Sequence, residues 1–194
     1  HSGYLRAGGI VNYESATVRD VYLKLRGGEK KTEDISRTDG GPEFKKDFLI
    51  MLQGRHVMHE VTLPGESTTN SRMERAVRVV VEGGRTALRC SGLPYAGWCS
   101  ACVVFCRSYS VATVDPLRRL CPWQLFRETD QDPPRAVPFG CAVEYLDHTE
   151  DRKKFAGKTR TGAVIAYRRI GALVVPDLIE YEKGNFKTQL TRNL

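Results

Sequence analysis

The chain has 194 residues, 41% hydrophobic and 27% charged, with a formal net charge of +7. That composition suits one domain with a proper core and excludes a disordered or collagen-like chain. The longest nearly apolar stretch, Ala96 to Cys106, is about half of what a membrane-spanning helix needs, so no membrane partner is expected. No signal-peptide pattern opens the chain, and without an initial Met it is expected to be a processed or excised piece.

In chain order, Thr17 to Arg26 alternates. Val21, Leu23 and Leu25 point one way and Asp20, Tyr22, Lys24 and Arg26 the other, which predicts a half-buried strand ended by Gly27-Gly28. Gly27 to Lys46 is polar and carries Asp39-Gly40-Gly41-Pro42, the composition of a long loop. Asp47 to Gln53 and Val57 to Leu63 flank Gly54-Arg55 like the arms of a hairpin, and Pro64-Gly65 marks the next turn. Ser71 to Glu82 reads two ways. Ser71 and Glu74 match a capping box, and Met73, Ala76, Val77, Val80 and Val81 have helical spacing. Four valines within five positions fit a pleated sheet better, so a strand is preferred, with Gly83-Gly84 as a turn and Thr86 to Cys90 as the return arm.

Trp98 to Val114 is apolar and rich in Cys, Val and Tyr, which predicts one or two buried central strands. Asp115-Pro116 signals a helix start that Pro122 limits to one or two turns. Gln131 to Pro138 reads as a loop and Phe139 to Leu146 as a strand. Gly162 to Arg169 and Gly171 to Glu182 follow as strands, the second pushed to a sheet edge by Pro176. Strands at this density predict an all-β fold: a single antiparallel β-sandwich, jelly-roll-like, with long loops and at most one or two short helices. Residues 1–16 form an N-terminal tail in this reading and residues 17–194 one β-rich domain.

The charge is local. Residues 1–150 carry 20 Lys/Arg against 19 Asp/Glu, and residues 151–194 carry 10 against 4. Arg152, Lys153, Lys154, Lys158, Arg160, Arg168 and Arg169 fall in one stretch without an acid, and Tyr167 adds an aromatic ring among them. Such a patch favours nucleic-acid phosphates or an acidic protein surface, and RNA and DNA are not distinguished by it.

Three other constellations bear on chemistry. Cys90-Ser91-Gly92-Leu93-Pro94 resembles the nucleophile turn of chymotrypsin-like viral serine proteases, which would make Ser91 a nucleophile. Arg89 stands where that turn has a glycine, and His56 and His59 lie only 35 and 32 residues upstream, too little chain for the intervening barrel. Cys99 with His148, beside Asp147, has the spacing of a compact cysteine hydrolase, although a strand-like Cys99 lacks the helix start that such enzymes use. Cys99, Cys102 and Cys106 have ligand-like spacing, but residues three apart in a strand face opposite sides of a sheet, so no metal is expected. No cofactor motif is present either. The six cysteines sit mostly among core-type residues, which favours reduced thiols and an intracellular setting.

The function expected from these features is non-enzymatic. It is a structural or binding protein in a homo-oligomer or larger assembly, coat-like or nucleoprotein-like, with Arg152 to Arg169 on nucleic acid or an acidic partner. A cysteine hydrolase using Cys99 and His148 is the alternative, and an accessory subunit of a large complex is a second.

Overall fold

The computed structural model describes residues 2–26, 35–62, 67–146, 159–167, 173–176 and 188–191, the side chains of 67–70, 146, 160, 173–176 and 188–191 excepted. They divide into two compact units, Ala7–Arg78 and His1–Arg6 with Val79–Leu194. No helix among the described residues is long and apolar enough to cross a membrane.

The Ala7–Arg78 unit runs through α1 (Ser15–Arg26), β1 (Ile35–Thr38), a 3-10 turn (Pro42–Phe44), α2 (Asp47–Gly54) and β2 (Met58–Val61), and it ends inside α3 (Ser67–Ser91). Thr17 to Arg26 is helix, not strand. Its apolar residues alternate, but Val18, Val21, Tyr22 and Leu25 also repeat at helical spacing, and packing decides between the two periods. The packing centre is Phe48 of α2, 2% exposed. Its ring meets Tyr22 edge-on at 5.4 Å and Phe44 at 5.3 Å. Leu52 and Val57 are buried with it, and Val18 and Met51 pack against them. The Ser15 hydroxyl ties α1 to the start of α2, accepting the Phe48 amide at 3.1 Å and donating to the Lys45 carbonyl.

The expected hairpin over residues 47–63 is therefore a helix followed by a strand. β2 pairs with β1 in parallel, Ile35 opposite Met58 and Thr38 opposite Val61. Parallel neighbours need a crossover, and α2 supplies it.

In the second unit α3 continues to Ser91, followed by a 3-10 turn (Tyr95–Gly97), α4 (Trp98–Ala112), α5 (Pro122–Arg127) and five strands: β3 (Ala142–Leu146), β4 (Thr159–Ala163), β5 (Ala166–Tyr167), β6 (Leu173–Pro176) and β7 (Thr188–Thr191). β3 and β4 pair antiparallel, Ala142 opposite Ala163 and Leu146 opposite Thr159, and β5, β6 and β7 form an antiparallel sheet. Leu88 of α3, Ala101 and Val104 of α4, Phe139 and Ile165 form the core. The N-terminal segment joins this unit through Ser110, 1% exposed, whose hydroxyl accepts the Leu5 amide at 3.1 Å and donates to its carbonyl at 3.3 Å.

The all-β sandwich is overturned: the described fold is mixed α/β with small sheets, and both valine-rich segments are helices. Gly83-Gly84 is no turn. It lies inside α3 at a close contact with α4, where a Cβ on Gly83 would overlap the Phe105 ring. A Cβ on Gly84 would overlap the Cys102 sulfur and lie 3.1 Å from the Cys102 Cα. Valine's preference for strands is worth less than the burial this contact permits. Pro122 likewise starts α5 rather than ending a helix, with Gln124 Oε1 accepting the Cys121 amide at 2.9 Å. Asp115 caps a turn instead, its carboxylate accepting the Arg118 amide at 2.8 Å and the Leu117 amide at 2.9 Å. Those bonds hold its carboxyl below the usual range.

Two glycine substitutions separate helix propensity from close packing. Alanine gains about 1 kcal/mol over glycine within a helix, whereas overpacking a tight contact costs about 1–3 kcal/mol. Gly84→Ala should lower stability by about 1–2 kcal/mol in urea denaturation. Gly54→Ala, where a Cβ meets nothing within 4 Å, should be neutral or raise stability by up to about 1 kcal/mol. Equal effects at the two positions would contradict the helix contact.

Candidate functional site

Of the basic stretch, Arg152, Lys153, Lys154, Lys158, Arg168 and Arg169 lie outside the described residues. Arg160 stands on β4 opposite Tyr145. Tyr167 is half-buried on β5. Its hydroxyl is bonded to the amide and carbonyl of Val137, the Arg107 guanidinium lies 4.4 Å from its ring centre, and burial pushes its phenol up. The hydroxyl and one ring face are thus engaged inside the fold.

His148 also lies outside the described residues. Cys99 occupies the first turn of α4, a helix start and not the strand expected. Ser91 is the last residue of α3. Its hydroxyl donates to the Leu88 carbonyl at 2.7 Å and accepts the Leu93 amide at 3.2 Å, which closes the helix end. None of the six cysteines is in a disulfide. His56 is an exposed residue just after α2, and His59 on β2 holds Thr38 Oγ1 at 2.8 Å through Nε2.

Once residues 71–89 are helical, a feature appears that the strand reading concealed. Arg75, Arg78, Arg85 and Arg89 fall within about 80° of arc around α3, and Arg72 stands beside them. All five are exposed, with Glu82 on the same face and Glu74 next to Arg78 one turn on. The opposite face carries Gly84 and Leu88 into the packing against α4. From Arg75 to Arg89 the row runs about 21 Å along the helix, roughly six phosphate steps of one nucleic-acid strand. Helical spacing of arginine was the signal available in the sequence.

A second feature sits at the carboxyl ends of β1 and β2, where open α/β sheets place their ligands. Asp39 follows β1 directly, exposed, with its carboxylate accepting the Gly41 amide at 3.2 Å. The Thr38 hydroxyl lies 2.9 Å from the Asp39 carbonyl and shares a 2.8 Å hydrogen bond with His59 Nε2. The neighbouring carboxylate of Glu60 is bound to Arg37, with Nε 2.9 Å away. Asp20 and Asp47 both pair with Arg19. Among the described residues no group of three His, Cys, Asp or Glu side chains is placed to hold a metal ion. The described residues do not fit a complete metal centre.

No family model matches this chain. Over 138 residues, 71% of the chain, it is 27% identical to the retrovirus-related Pol polyprotein from transposon TNT 1-94 of Nicotiana tabacum. It spans about a tenth of that relative's length. Among solved structures it is similar to the catalytic core domain of BIV integrase, with a TM-score of 0.53, 16% identity, 66% of this chain covered and 80% of that one. It is also similar to the simian T-cell lymphotropic virus intasome, solved in complex with PP2A regulatory subunit B56 gamma. There the TM-score is 0.51 at 16% identity, with 84% of this chain and 58% of that one covered.

These likenesses show a mixed α/β fold of the integrase-core kind. They overturn the expectation of a non-enzymatic, coat-like structural protein, because the fold they match is that of integrase cores and not a jelly roll. The cysteine-hydrolase and accessory-subunit alternatives have no support among them.

The arginine row makes a quantitative prediction for any polyanion. Each phosphate that is no longer neutralised lowers the slope of log affinity against log salt by about 0.9 on duplex DNA. Replacing Arg75, Arg78, Arg85 and Arg89 by Ala should flatten that slope by up to about 3.6, measured by fluorescence anisotropy with a duplex oligonucleotide. An unchanged slope would place the binding face elsewhere.

Proposed function

We propose that this chain is a nucleic-acid-processing domain of the integrase catalytic-core type, acting on phosphodiester linkages in a polynucleotide. The observation that carries the proposal is the 138-residue likeness to a transposon Pol polyprotein in a chain whose fold is that of an integrase core. The intasome neighbour supports a domain that works in an assembly with nucleic acid and further protein copies.

Phosphoryl transfer asks a protein chiefly to position the reacting groups and to balance charge. The α3 arginines neutralise the backbone and hold it in register, and the basic sequence Arg152 to Arg169 adds to the positive charge of the chain. Backbone contacts of this kind position the substrate without reading its sequence. Asp39 is the carboxylate assigned to orient the attacking hydroxyl or water. It lies at the strand ends, and among the described residues no arginine takes up its oxygens. Glu74 is assigned as the second carboxylate. Asp20, Asp47 and Glu60 are committed to arginine pairs, whereas Glu74 lies among Arg72, Arg75 and Arg78, where phosphates would be held.

Nicking or joining of a labelled duplex, assayed with a divalent cation supplied, tests this. Asp39→Asn and Glu74→Gln should each reduce the rate by about 10²-fold or more, with duplex affinity kept within about threefold. Full activity in both variants, or a chain that binds duplex and never cleaves or joins it, would contradict the proposal.

A further inference from the structure

We propose that Cys99 and Cys102 form a reversible dithiol–disulfide site at the start of α4. The site is independent of the arginine face and of the carboxylates assigned above. Three observations converge on it. First, α4 begins at Trp98, which places Cys99 in its first turn and Cys102 three residues on, along the same side of the helix. Residues three apart in an α-helix have Cα atoms about 5 Å apart, inside the roughly 4.4–6.8 Å range that disulfides span.

Second, both residues are partly exposed, whereas Cys106, the next cysteine on the helix, is 2% exposed. Burial and the neighbouring thiol push the Cys106 sulfur up to about 11 and raise Cys102 as well. Third, the pair stands at the end of the helix and not in its middle. The N-cap is Gly97, which offers no side-chain cap, and the first-turn amides have no partner within the helix, the Trp98 amide bonding back to the Tyr95 carbonyl. A disulfide draws its two Cβ atoms closer than an undistorted helix holds them, and a first turn yields more readily than a helix middle.

The chemistry is thiol–disulfide exchange with a small-molecule disulfide as oxidant. Cys99 attacks one sulfur of that disulfide. The oxidant's S–S bond breaks, one of its thiols leaves as the thiolate, and a mixed disulfide remains on Cys99. Cys102 then attacks the Cys99 sulfur, closing the Cys99–Cys102 bond and expelling the second small thiol. The two protons lost by the protein thiols end on the two leaving thiols, and the oxidant is reduced by two electrons.

Closure has a structural consequence in the same unit. The Cys102 sulfur now fills the position against Gly84 of α3. Turning it toward Cys99 opens the α3–α4 contact by about one atom's width at its tightest point.

The native chain, incubated in mixtures of reduced and oxidised glutathione and trapped with acid, gives the test. Trypsin releases Cys90 to Arg107 as one peptide holding four of the six cysteines. The expected product lacks two hydrogens, and its fragment ions place the bridge between Cys99 and Cys102. Excess reduced glutathione should reverse it fully. Cys102→Ser should accumulate glutathione on Cys99, and Cys99→Ser should form no bridge in this peptide. The wild-type map decides the matter even if a variant folds poorly. A bridge to Cys90 or Cys106, a persistent adduct on wild-type Cys99, or no oxidation would each overturn the proposal.

Discussion

Helices α3 and α4 approach closely because α3 has no side chains at the point of contact. Gly83 lies against the Phe105 ring and Gly84 against the backbone and sulfur of Cys102, so the helix axes come nearer than any Cβ would allow. The arrangement of this unit follows from that approach. It brings Leu88 onto Ala101 and Val104, and these with Phe139 and Ile165 make the core on which the strands rest. It also fixes which side of α3 is buried, leaving Arg85 and Arg89 on the side that faces water. A packing constraint on one face thereby determines the electrostatics of the other.

The Ala7–Arg78 unit has a different organiser. Phe48 gathers Tyr22, Phe44, Leu52 and Val57 around one buried ring, and its helix is the crossover that lets β1 and β2 run parallel. Parallel strands end on the same side, which sets Asp39 and the Thr38–His59 pair at one corner. An antiparallel hairpin over residues 47–63 would have had no such corner.

Part of this was legible in the chain. The irregular stretch Gln131 to Pro138 and the strand before Asp147 follow from proline content and from alternation, and both are local signals. The helices were hidden by ambiguity that only tertiary contact resolves. In Thr17 to Arg26, period two and helical spacing coexist, and Phe48, distant in sequence, selects the helix. In Ser71 to Glu82 the helical spacing of Met73, Ala76, Val77 and Val80 was visible, but valine density outweighed it. Valine's side-chain entropy cost is a fraction of a kcal/mol per residue, less than a buried helix seam returns. Gly83-Gly84 carries the same ambiguity, because two glycines mark a turn between strands and a close approach between helices. The arginine row was hidden with it, since residues three, seven and four apart share a face only in a helix. Asp39 was visible as part of a long loop, but its position at a sheet's carboxyl edge depended on the parallel pairing of β1 and β2.

In the proposed function a fold of the integrase-core kind carries a basic helix face and two carboxylates, Asp39 and Glu74, that serve phosphoryl transfer. Nucleic acid then lies along α3. Arginine-selective modification with phenylglyoxal, read by peptide mass spectrometry with and without a duplex oligonucleotide, tests this placement. Duplex should protect Arg75, Arg78, Arg85 and Arg89 and leave Arg19, which is engaged with Asp20 and Asp47, unchanged. Equal modification of the α3 arginines with and without bound duplex would contradict it.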